Sequence, residues 1–208
     1  NVVLNTIVAE AFEEACDELE KAEDVNEKAH DLIKKYATEH QRVVFDGNGY
    51  SDAWVEEAER RGLPNIRSMV EAIPALTTDK AINMFEKFKV FTKAELESRA
   101  EIKYENYAKA INIEAKAMID IAAKQIIPAV VKYTKELADT VLAVKEAGAD
   151  ASVQAEMLAD ISGLLTETKA ALKKLEAVTE EAAGKEEGKV QSEFYHFSVV
   201  PAMEGLRT

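Results

Sequence analysis

Residues Lys93 to Ala147 read KAELESRAEIKYENYAKAINIEAKAMIDIAAKQIIPAVVKYTKELADTVLAVKEA. Over about 55 positions helix-favouring residues continue, interrupted only by Pro128. Tyr104, Tyr107, Ile111, Ala115, Met118, Ala122 and Ile126 recur at steps of three and four and so mark one face of a long helix. At ~1.5 Å per residue such a rod reaches ~80 Å, too long to bury its own stripe. The rest of the chain has to cover it.

Downstream, Ala147-Gly148-Ala149-Asp150 turns the chain, and Met157, Ile161, Leu164, Thr168, Leu172 and Leu175 give a return helix the spacing of an antiparallel coiled-coil hairpin. Gly184 to Gly188 breaks that helix. Val190, Phe194 and Phe197 then begin a last one that packs back on the bundle. Ile127-Pro128-Ala129 and Val200-Pro201-Ala202 are alike, and each proline removes a donor and crowds the carbonyl four residues back, so matched bends are expected.

Upstream the elements are short. Leu4, Ile7, Val8, Ala11, Ala15 and Leu19 mark one face of an opening helix, Val2 to Glu23, which needs a partner. Asp24 three before Glu27 is a capping-box pattern for a second helix carrying Val25, Ala29, Leu32, Ile33 and Tyr36, and the two form a hairpin. Asp46-Gly47-Asn48-Gly49 forces a turn, and Ser51 or Asp52 caps a short helix that Gly62 and Pro64 end. Ser68 with Glu71 opens another, which Pro74 closes; a third, Asp79 to Val90, turns Ile82, Phe85 and Phe88 inward. Thr92 and Glu95 form the capping box that starts the long helix. The expected fold is all-α: short helices over residues 1–92, then a long kinked helix folded into an antiparallel bundle over residues 93–208.

Composition narrows the function. A 47% hydrophobic and 31% charged chain of 208 residues has the balance of a globular protein. Its net charge of −13 repels phosphate backbones and anionic headgroups, so no nucleic acid and no membrane partner is expected. No apolar run reaches the ~18–20 residues that span a bilayer. The single cysteine, Cys16, rules out an intrachain disulfide and a cysteine zinc cluster, fits a cytoplasmic protein, and reads as a core or half-buried side chain. The absence of an initial methionine and the stop at Thr208 suggest a fragment.

Few residues carry the spacing of chemistry. Glu27 and His30, and Glu193 and His196, have the three-residue step of a di-iron carboxylate bundle, but Glu27 is explained by capping and the other inward glutamates cannot be singled out. Asp46, Asn48 and Glu57 fall at positions 1, 3 and 12 of a calcium loop, yet Tyr50 and Ser51 stand where a ligand and a glycine belong. Gly47 and Gly49 lack the lysine and the strand of a phosphate loop. His40 suits a helix C-terminus, and Trp54 with Tyr50 suits local core. No catalytic, cofactor-binding or metal-ligating residue is assigned.

Four ordered blocks carry a resemblance: NVVLNTIVAE at Asn1–Glu10, FDGNGYSDAW at Phe45–Trp54, YAKAINIEA at Tyr107–Ala115, and Val200-Pro-Ala-Met203 with Leu206-Arg207. Together they resemble the C-terminal portion of type III glutamine synthetases, with Asp46 where the family has Asn. The resemblance implies a ligase that joins ammonia to glutamate using ATP and Mg2+ or Mn2+, with its catalytic barrel upstream of Asn1 and an aromatic-rich tail beyond Arg207. It implies that this segment, inactive alone, buttresses the barrel and helps build a homo-oligomer with sister subunits. An autonomous helical scaffold that binds partner helices and a di-iron bundle protein are the alternatives.

Overall fold

The computed structural model describes residues 1–208, all of them in helices, turns or loops without a strand. Two compact units divide the chain, residues 1–100 and 101–208. No helix is long and apolar enough to cross a membrane.

In the first unit α1 (Val2–Leu19) and α2 (Val25–Glu39) are antiparallel neighbours, as the sequence suggests. Asp24 accepts from the backbone of Asn26 and Glu27, so the cap is made by the aspartate alone. The outcome for α1 differs from expectation. Leu4, Ile7 and Val8 are exposed, while Thr6 is the buried residue. The helix stops at Leu19, short of Glu23.

α3 (Asp52–Arg60) starts on the Ser51 hydroxyl and ends at Gly62, whose φ of +69° is the left-handed conformation that stops a helix. α4 (Met69–Ala72), capped by Ser68, tightens into a 3₁₀ turn over Ile73–Thr77 at Pro74. α5 (Asp79–Lys87) buries Ile82 and Phe85 against Leu96, whereas Phe88 is only half-buried. At Thr92 the capping box is complete: Thr92 N donates to Glu95 Oε2 at 2.8 Å and Glu95 N to Thr92 Oγ1 at 3.3 Å, opening α6 (Lys93–Ile121).

In the second unit α6 continues through a single π-turn, Ala122–Ile126, into α7 (Ile127–Glu146). The turn is the response to Pro128. Ile127 N reaches back five residues to Ala122 O, which adds one residue to the turn ahead of the proline. The inward stripe therefore runs Tyr104, Ala108, Ala115, Ala122 and then Ile127 in place of Ile126, which is 51% exposed. The second proline behaves alike: Val200 N bonds Tyr195 O across a π-turn, Tyr195–Val199, between α9 (Lys189–Phe194) and α10 (Val200–Arg207).

After Gly148, at φ +75°, α8 (Ser152–Ala183) returns antiparallel to α7. Its shielded side is Leu158, Ile161, Leu165, Thr168, Leu172, Leu175, Thr179 and Ala182, alternating steps of three and four without a break. Met157 and Leu164, expected on that side, are exposed at 45% and 58%. Steps of four and three counted back from the buried Leu172 and Leu175 pass through Thr168, Leu165, Ile161 and Leu158, which leaves Met157 and Leu164 one residue off the shielded side. The core joins Ala108 and Ala115 of α6, Leu175 and Ala182 of α8, and Tyr195, Val199 and Ala202 of the last helices. Small alanines let the backbones approach closely. Val190 and Phe197 point outward, at 50% and 61% exposed, so Ser192, Tyr195 and Val199 do the packing.

Candidate functional site

The most built polar feature of the first unit is a cleft of about 640 Å³ lined by Ala37, Gln41, Arg42, Val44, Glu57, Arg60 and Arg61. It forms because α3 carries Glu57, Arg60 and Arg61 at steps of three and four, which puts all three on one side. Arg60 clasps Glu57 through two hydrogen bonds, at 2.7 and 2.6 Å, and Arg61 Nε donates to the same carboxylate. These guanidinium groups, Arg60 first and then Arg61, hold the Glu57 carboxyl down at about 2. The fork of Arg61 also ties the loop down, donating from Nη1 to Val44 O at 2.7 Å, and its guanidinium lies 5.6 Å from the centre of the Trp54 ring.

That clamp closes the turn the sequence marks at Asp46–Gly49. Asn48 Oδ1 accepts from Tyr50 N at 3.0 Å, and Ser51 Oγ donates to Asn48 O at 2.7 Å, so the loop is bonded by its own side chains. Phe45 stacks on Trp54 with ring centres 4.2 Å apart. Trp54 therefore pairs with Phe45 and not with Tyr50, which is fully exposed. A Cβ on Gly47 would sit 2.4 Å from Phe45 Cζ, so any larger residue there has to displace the stacked ring.

The chemical leads land elsewhere. Glu57 faces its arginines, not the 46–51 loop, which breaks the calcium spacing. His30 is exposed with Nδ1 3.0 Å from Asn26 O, and His196 lies 2.9 Å from the Tyr107 hydroxyl in a half-buried place in the second unit. Three or more His, Cys, Asp or Glu side chains converge nowhere, so these residues do not form the cage a divalent cation needs. Cys16 is exposed instead of half-buried. His40 does sit at a helix C-terminus, as the cap of α2. In the second unit a groove of about 700 Å³ opens beside the first π-turn, lined by Met118, Ile121, Ile126, Met203 and Leu206 among others. Sequence reading missed the arginine clamp, although the spacing of Glu57, Arg60 and Arg61 signals it.

Comparison with known proteins gives a consistent picture. Residues 28–145 match the family described as the glutamine synthetase C-terminal domain. The chain is 34% identical over 187 residues to a glutamine synthetase of Butyrivibrio fibrisolvens, covering 89% of this chain and 27% of that protein. It is 38% identical over 143 residues to the type-3 glutamine synthetase of Dictyostelium discoideum, covering 67% of this chain and 20% of that protein. With a glutamine synthetase of Bacteroides fragilis it shares 27% identity over 182 residues, 85% of this chain and 25% of the relative. The matched part thus spans a fifth to about a quarter of each relative's length.

Proposed function

This chain belongs to the glutamine synthetase C-terminal domain family, and from that premise we propose that it is the helical C-terminal region of a glutamine synthetase, a structural and oligomer-building part of the enzyme. In the full-length protein the reaction is the ATP-dependent ligation of ammonia to glutamate, assisted by Mg2+ or Mn2+, in the cytoplasm. The reacting groups belong to polypeptide upstream of Asn1, and the helices here support that domain and its contacts with sister subunits. The single observation carrying this reading is the match over residues 28–145 in a chain that accounts for only 27% of its Butyrivibrio relative.

The residues themselves favour a supporting role. Phosphoryl transfer to a carboxylate wants clustered carboxylates around metal, and the clamp at Glu57 instead spends its charges on holding a loop. The test is ADP release with glutamate, ATP and ammonia. The 208-residue chain is expected to release none, and a longer protein that includes the preceding polypeptide is expected to release ADP and form glutamine. Turnover by the 208 residues alone overturns the proposal.

A further inference from the structure

The first helix turns its polar side to the protein and its apolar side to water. Leu4, Val8 and Phe12, spaced by four, form one stripe and are 67%, 51% and 67% exposed. Thr6, Glu10 and Glu13 lie about half a turn round at ~100° per residue, and there Thr6 is buried while both glutamates reach Lys87 on α5. Val2 to Ala9 carries no charge. α1 packs on both α2 and α5, and neither of them covers the stripe, although shielding large apolar side chains from water is favourable. The orientation of α1 suits a further neighbour on its outer side.

We propose that the Leu4–Val8–Phe12 face is the seat of the preceding part of the same polypeptide, an apolar and uncharged surface of the domain upstream of Asn1; this rests on the reading of the chain as the C-terminal region of a longer enzyme. The match to the C-terminal domain begins at residue 28, so α1 lies ahead of it, and this chain accounts for only 27% of its Butyrivibrio relative. A second copy is disfavoured by charge. The chain carries −13 overall, and Glu13, Glu14, Asp17, Glu18 and Glu20 crowd the far half of the helix, so two such helices repel.

The test replaces Phe12 with the photoreactive residue p-benzoylphenylalanine in the longer protein, followed by illumination, gel analysis and peptide mass spectrometry. An intramolecular cross-link to residues preceding Asn1 supports the proposal. A cross-link to another subunit, one to residues 20–208 of the same chain, or none at all overturns it. Phe12→Glu separates the interface from simple folding: it is expected to leave the melting of the 208-residue chain within about 2 °C of the parent and to lower that of the longer protein clearly, and equal effects in both count against the interface. Glutamine formation is measured separately. A longer protein that cross-links as expected but makes no glutamine retains the interface and removes the enzymatic reading, and the reverse result removes the interface alone.

Discussion

The Ser192 hydroxyl donates to the main-chain carbonyl of Tyr104 at 2.6 Å, joining α9 to α6 in a place fully closed to solvent. A serine fits there because nothing larger would let the two helices approach. Ser192→Ala is expected to cost about 1 kcal/mol, the worth of one hydrogen bond. Ser192→Leu is expected to cost about 1–3 kcal/mol more by overpacking. Urea unfolding followed by circular dichroism measures both, and a Leu variant as stable as the parent contradicts the close approach.

The Phe45–Trp54 stack and Gly47 make a coupled pair of predictions. Gly47→Ala is expected to push the Phe45 ring off Trp54 and destabilise the turn by about 1 kcal/mol. Phe45→Ala removes the obstacle, so the alanine at position 47 should cost almost nothing in that background. Trp54, the single tryptophan, reports both through its fluorescence. Additive effects would mean that the glycine answers to something other than the ring.

The π-turn before Pro128 is a one-residue insertion in geometric terms. Deleting exposed Gln125 returns the helix to ordinary register but leaves Pro128 inside an uninterrupted α-helix, at a cost of about 3 kcal/mol. Adding Pro128→Ala to the deletion is expected to recover most of that loss in the thermal midpoint. Deleting Asp139 instead should unfold the hairpin, because Val141 and Val144 leave the seam.

Alkaline pH acts on the second unit through its tyrosines. Burial raises the hydroxyl pKa of Tyr104, Tyr107 and Tyr195, with Glu193 and Glu101 adding to it at Tyr104 and Glu114 at Tyr107. The fold favours the neutral phenols. Their contribution is complete below the unfolded value near 10 and is lost as pH rises from there through the higher folded values. The urea midpoint should therefore fall above pH 10, and Tyr195→Phe should make that fall shallower.

Much of this was legible in the residues. The Thr92–Glu95 box, the serine caps at 51 and 68 and the Gly148 turn are local signals, and local chemistry settled them. Where two apolar residues stand side by side, as at Met157-Leu158 and Leu164-Leu165, periodicity offers two stripes, and only the unbroken alternation down to Ala182 chooses between them. Ile126 failed for a different reason: a 3.6-residue count has no place for a turn bonded five residues apart. The opening helix was read as needing a partner, and within these residues its Leu4 and Val8 have none. At the cleft, the glycine turn was visible but the reach of Arg61 across 17 positions to Val44 was not, because side-chain contacts of that separation leave no local pattern.

The even alternation along α8 makes the α7–α8 arm modular in length. Removing seven residues from each side of the Gly148 tip, or adding seven, keeps every remaining shielded residue on the side that faces the other helix, because two turns of helix take about seven residues. Related chains could thus set how far the tip projects, like sections of a telescoping pole, with the base of the arm left as it is.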